Sequence, residues 1–176
     1  MEVLVAATLS VFVLAGVLSA NLQIIRGGIR IAQYAEMESQ VRRALDYLGR
    51  DVKGALDLTW NGTSDLTLTI PAGNAATARV TYAWTAASGT FYRVAGASSA
   101  VTTGRLELVR GINALPGGGP GLSFARFDRT GAAATTDATT KAIMVSMTLT
   151  RSAPTAATAT QNAVSAMFTL RNKSSP

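Results

Sequence analysis

EVLVAATLSVFVLAGVLSANLQII, residues 2–25, is the stretch from which the rest of this chain is read. Between Val3 and Ile25 there is no Lys, Arg, Asp or Glu. At ~1.5 Å of rise per residue, such a helix is about as long as the hydrocarbon core of a bilayer is thick. Its polar members Thr8, Ser10 and Ser19 can return their hydroxyls to the preceding turn. Ala15 and Ser19, and Gly16 and Ala20, stand four apart, the spacing of small residues at close helix–helix contacts. Glu2 heads the segment, and a carboxylate at the edge of a bilayer is costly unless solvated or paired, so it is a functional suspect. A stabilised helix N-terminus is its plainer use. Residues 1–28 are therefore assigned to a transmembrane, assembly half of a long helix. A cleaved secretory signal is the competing use, but the apolar run exceeds an ordinary signal core and passes unpunctuated into a second helical pattern.

That second pattern places apolar residues at Tyr34, Met37, Val41, Leu45, Leu48, Val52 and Leu56, the stripe of an amphipathic helix laid on a core. Residues 29–58 are read as this helix, with Val41, Leu45, Leu48, Val52 and Leu56 packing on a sheet. The other faces carry Glu36, Glu38, Arg42, Arg43, Asp46, Arg50, Asp51 and Lys53. Glu38–Arg42 and Asp46–Arg50 have the acid-first spacing of a helical ion pair. Gly27 and Gly28 mark a bend or melting point, and the helix is expected to fray near Asp57–Trp60 before a turn at Asn61–Gly62.

Beyond the turn the period changes from 3.6 to 2. Strands are expected at Asp65–Ile70, Arg79–Trp84, Thr90–Val94, Arg105–Val109, Leu122–Asp128, Ile143–Thr150 and Ala163–Arg171, within a β region spanning 62–172. Residues 29–176 thus form one globular domain. The fold class is α+β: a long N-terminal helix, transmembrane and then amphipathic, packed on an antiparallel β-sheet or small sandwich. The segments around Gly131–Thr140 and Ser152–Thr160 read as exposed, mobile loops, and Ala114–Gly121 as a glycine- and proline-rich one.

Composition narrows the chemistry. Histidine and cysteine are both absent, which removes disulfides, thiol chemistry, imidazole acid–base schemes and the usual zinc ligands. No catalytic residue, cofactor or metal site is assigned. Asp128 and Asp137 are a thin basis for calcium, and Pro116–Pro120 lacks the Lys and Ser/Thr of a phosphate loop. The net charge is +6, from 16 basic and 10 acidic residues. Ten of the basic residues lie beyond Asp57, scattered singly, which suits a solvated surface better than a nucleic-acid groove.

Glu2-Val3-Leu4-Val5-Ala6-Ala7, followed by the uninterrupted apolar helix, resembles the N-terminal segment of type IV prepilins and type II secretion pseudopilins. Downstream, the chain is similar to the PilW/PulJ group of minor pilins and pseudopilins. The matching residues are Arg42-Arg43-Ala44-Leu45 with Leu48-Gly49-Arg50-Asp51, Val80-Thr81-Tyr82, Gly89-Thr90-Phe91-Tyr92-Arg93 and Leu106-Glu107-Leu108-Val109. Leu122–Asp128 and Phe168-Thr169-Leu170-Arg171-Asn172 extend the match. The resemblance implies a non-catalytic subunit of a pilus-like filament, assembled through its N-terminal helix and priming assembly at the tip. It gives Glu2 the part of neutralising a neighbour's terminal amine, with Gly16 and Ala20 in the helix contacts.

The partners so implied are other pilins or pseudopilins, an inner-membrane assembly platform and the lipid bilayer; prepilin peptidase joins them if a leader is encoded upstream. The location implied is the bacterial inner membrane, single-pass, with the C-terminal domain periplasmic. Arg26 and Arg30 follow the span while nothing basic precedes it, an asymmetry that a basic leader would reverse. The expectation is that Met1 is not the biological start and that the mature subunit begins three residues upstream. A membrane-tethered periplasmic binding module that never polymerises is the alternative, and weak nucleic-acid contact is not favoured.

Overall fold

A computed structural model describes residues 2–115, 118–151 and 160–174. One helix, α1, runs from Glu2 to Gly54. Its 53 residues make a rod about 80 Å long. It passes through Gly27 and Gly28 without a break, so the helix does not melt there: each glycine costs about 1 kcal/mol of helix propensity, too little to interrupt a helix with good formers on both sides.

Among the described residues eight strands follow: β1 (Asp57–Gly62), β2 (Asp65–Gly73), β3 (Ala76–Thr85), β4 (Thr90–Ala95), β5 (Leu106–Arg110), β6 (Leu122–Phe127), β7 (Ala142–Arg151) and β8 (Thr160–Thr169). They form two antiparallel sheets, β1-β2-β3-β4-β5 and β6-β7-β8. The sheets are stitched together by a bridge between Ile112 and Leu149 and by the Phe124 N–H donating to the Thr63 carbonyl at 2.6 Å. Gly121 sits in the stitch: a Cβ there would fall 1.9 Å from the Asn113 carbonyl oxygen.

The two sheets meet the helix differently. The Arg110 N–H of β5 donates to Gln40 Oε1 at 3.1 Å, Asp51 reaches Tyr82 and Arg93 of β3 and β4, and the Leu56 N–H donates to Thr69 of β2. The helix therefore crosses the five-stranded sheet from β5 towards β2. Along β8 the contacts climb together in both elements. Asn162 donates to Glu38, the Phe168 ring lies against Gly49, and Asn172 donates to the Gly54 carbonyl. Helix and strand run side by side in the same direction. Gly49 is explained here, since an added Cβ would lie 2.7 Å from the Phe168 ring.

Met37, Val41, Ala44, Leu48 and Val52 are buried and share one core with Leu66, Leu68, Tyr82, Phe91, Ile143, Val145 and Leu149. Leu45 is half-buried. Leu56, expected in the same stripe, is instead 41% exposed. The helix stops at Gly54, a poor helix former, and the Leu56 N–H is already committed to Thr69. The strand that follows buries Leu58 instead. Asp57–Trp60 is thus strand, not fraying helix. The segment 131–140 is exposed over most of its length, as expected, but it is tied to the domain at two points. Ala134 and Thr140 are buried, and the Ala134 N–H donates to Arg126 of β6. The other expected mobile loop falls on 152–159, outside the described residues, as do Pro116 and Gly117 of the glycine-rich loop.

Leu48→Ala should cost about 2–5 kcal/mol, because a fully buried leucine leaves a cavity between helix and sheets. Leu56→Ala should stay within about 0.5 kcal/mol. Denaturant titration of the detergent-solubilised chain compares them; equal losses would contradict the helix end at Gly54.

Candidate functional site

The side chains of residues 2–28 are all exposed. Val3, Leu4, Phe12, Leu14, Val17, Leu18, Ile24 and Ile25 present their apolar surface outward from the domain. By length and composition, this is the one helix among the described residues able to cross a membrane. Thr8 donates to the Val5 carbonyl at 2.9 Å and Ser10 to that of Ala6 at 2.8 Å, so neither hydroxyl needs water in an apolar setting. Glu2 stands exposed in the first turn. Gly16 and Ala20 lie one turn apart on an open flank, and nothing comes within 4 Å of where a Gly16 Cβ would be. These three residues are far from the core, whereas Val41, Leu48 and Val52 are inside it. The structure does not gather Glu2, Gly16 and Ala20 into a pocket; it spaces them along a free rod.

The rod is held to the domain by a polar lock. Asp51 is 8% exposed. Its Oδ2 accepts from the Tyr82 hydroxyl at 2.7 Å and from Arg93 Nε at 2.8 Å. Tyr82 is fully buried. Burial, and then the carboxylate it donates to, push its phenol far above the ordinary tyrosine range. Burial works against the charge of Arg93, but the bond and attraction to Asp51 outweigh it and hold the guanidinium above its usual value. With two donors from adjacent strands on one oxygen, this carboxylate fixes the geometry of helix on sheet.

Sequence reasoning placed Asp51 on the polar face. The signal lay in its spacing: Asp51 is three residues after Leu48 and seven after Ala44, inside the buried arc, and only its charge argued otherwise.

Several other charged groups have structural partners as well. Asp137 accepts from Arg126 at 2.7 Å and from the Trp60 N–H at 3.1 Å, while Arg126 lies over the Trp60 ring. Asp128 closes its own turn by accepting from Thr130 and Ala132, and the Thr130 hydroxyl bond is the main cause of its lowered pKa. Asp128 and Asp137 thus serve separate structural tasks, and no group of three or more potential metal ligands occurs among the described residues. Lys173 is buried; its ammonium donates to the Asp137 carbonyl and lies 3.2 Å from Asp57.

On the helix surface Glu38 pairs with Arg42 at 2.8 Å, and that bond draws its carboxyl below the usual range. Arg50 turns from Asp46 to the Tyr47 ring, where Arg43 also sits. No protein-family model, curated protein or solved structure matches the chain.

Asp51→Ala should cost about 3 kcal/mol, because Arg93 and the Tyr82 hydroxyl lose their buried partner. Tyr82→Phe should cost about 1 kcal/mol. A folded-state tyrosine pKa above its unfolded value contributes stability that is complete below about pH 10 and lost as pH climbs towards the folded value. The alkaline fall in melting temperature should therefore be shallower in Tyr82→Phe. Parallel curves for the two proteins would contradict this.

Proposed function

We propose that this chain is a non-catalytic minor pilin or pseudopilin, a membrane-anchored subunit of a type IV pilus-like filament. One observation carries the proposal: a single helix whose first half is wholly exposed and apolar while its second half is built into the core of the domain. An ordinary soluble domain gains nothing from such a rod, since exposed apolar surface on this scale marks a membrane or protein contact. In a bilayer the rod is solvated by lipid, and in a filament by the rods of other subunits, where Gly16 and Ala20 permit close approach. Glu2, at the head of the rod, meets the ammonium terminus of a neighbouring subunit, and small helix shifts would make or break that pair in apolar surroundings.

The proposed partners are other pilins or pseudopilins and an inner-membrane assembly platform, with the globular domain periplasmic and priming at the filament tip as its task. The absence of histidine and cysteine, together with the engaged carboxylates described above, supports a structural role.

Glu2→Ala should leave the domain folded and the chain in the membrane fraction, yet reduce its recovery in sheared filaments or secretion pseudopili at least about tenfold, the loss of a desolvated charge pair. Removing residues 2–28 should yield a soluble folded domain that never assembles. Normal incorporation of Glu2→Ala would leave the carboxylate without the proposed task. Full-length chain in the soluble fraction, outside filaments, would overturn the anchor.

A further inference from the structure

Four strands lie at sheet edges, and three of the edges are closed. The Trp60 N–H of β1 donates to the Asp137 carboxylate, and the ladder bulges between Trp60 and Gly62. The Arg110 N–H of β5 is taken by Gln40. β6 is covered by Thr63, which accepts from Phe124, and by Ala134, which donates to Arg126. Natural sheets block or charge their edges because an open one recruits strands.

β8 has no bulge or charge of this kind, and α1, which runs along it, meets it through the core-facing side chains of Asn162 and Phe168. Its sequence, TQNAVSAMFT, contains no charge and no proline, and the ladder to β7 runs without a bulge from Arg151–Thr160 to Ala142–Thr169. The direction of its main-chain groups follows from the neighbouring bonds. The Leu170 N–H donates to the Lys141 carbonyl, and the Thr148 and Thr150 N–H groups point away from β8. With alternation along the ladder, Asn162, Val164, Ala166 and Phe168 bond inward to β7. Ala163, Ser165, Met167 and Thr169 direct their N–H and C=O groups outward, and no bond from these groups is made among the described residues. Beside this edge runs a groove of about 400 Å³ between strand and helix, lined by Leu45, Gly49 and Phe168, with Asp46, Arg50 and Lys53 at its rim.

We propose that the outer edge of β8 receives an extended strand from a different polypeptide of the same membrane-anchored assembly, a segment with apolar side chains at every second position. Those side chains would cover Leu45 and Phe168 while the main chain completes the ladder. A second copy of this chain is excluded by direction. Two copies joined through the same edge are related by a two-fold axis, with their strands antiparallel. Because α1 and β8 run in the same direction, the two anchors would then point opposite ways and could not enter one membrane. The other edges of a second copy are the closed ones just described. The choice of partner, though not the open edge, rests on the anchor reading above.

The test uses the full chain in detergent micelles, with the synthetic peptide TQNAVSAMFT as strand probe. The peptide should slow amide exchange about tenfold at Ala163, Ser165, Met167 and Thr169, leaving the inward amides unchanged. Ser165→Pro removes only an outward N–H, which an edge strand tolerates; it should keep the thermal transition and lose the protection. Should that variant unfold, Ala163→Pro asks the same question nearer the strand start. No protection by the peptide would overturn the open edge, whether or not the chain enters filaments. For the occupant, a photo-cross-linker at Met167 in intact cells should join a different chain of the assembly, and the proline variant should abolish the product. A cross-linked product made only of two copies of this chain would overturn the proposed partner.

Discussion

Met37, Val41, Ala44, Leu48 and Val52 form the wall that two sheets share. The sheets also touch each other directly, around Ile112–Leu149 and Thr63–Phe124, where the Phe91 and Phe124 rings meet, and where Arg126 covers the Trp60 ring. It is the helix, crossing β5 to β2 on one side and lying along β8 on the other, that makes them one core. Apolar burial is non-directional, so a stripe alone would allow the helix to slide or rotate. Asp51 removes that freedom, because its carboxylate must satisfy both Tyr82 and Arg93, and a one-residue shift would strand all three.

The cost of that lock is desolvation. A buried ion pair seldom adds net stability over a hydrophobic pair of equal volume. Here the carboxylate sits on the helix and its two donors on adjacent strands, the arrangement that selects one register of helix on sheet. Gly49 acts in the same sense through shape, since the approach of Phe168 requires a residue without a side chain there. Polar lock and steric notch stand two residues apart, at the end of the helix farthest from the anchor.

The long helix and seven of the eight described strands were legible because each has a strong periodic signature. β1 was not. Leu56 continues the helical spacing, and periodicity cannot reveal that Gly54 and the demand of Thr69 for a donor end the helix two residues earlier. The anchoring of the segment 131–140 was hidden for a related reason: its Ala/Thr/Gly composition signals only an exposed loop, while its ties to the domain come from distant partners, Trp60, Arg126 and Lys173. Asp51 was hidden because a charge on a helix is ordinarily solvent-facing, and only the positions of Tyr82 and Arg93 in the folded sheet reverse that. Local signals survive in the sequence; a contact spanning thirty-one or forty-two residues leaves no periodic trace.

An unbroken helix also has a mechanical consequence. The Gly27–Gly28 pair, at the junction of the exposed and embedded halves, is helical and carries the weakest propensity of any point on the rod. If it stays helical, every rotation or translation of the exposed half is delivered to Asp51 and Gly49, and the domain turns with its anchor. If it melts, the domain is tethered but free. A filament subunit needs the first state once its neighbours fix the anchor, and it benefits from the second while searching for them in the plane of a membrane. Packing against other helices would supply the free energy that selects between the two, so rigidity would arise on assembly at the position where the isolated helix is weakest.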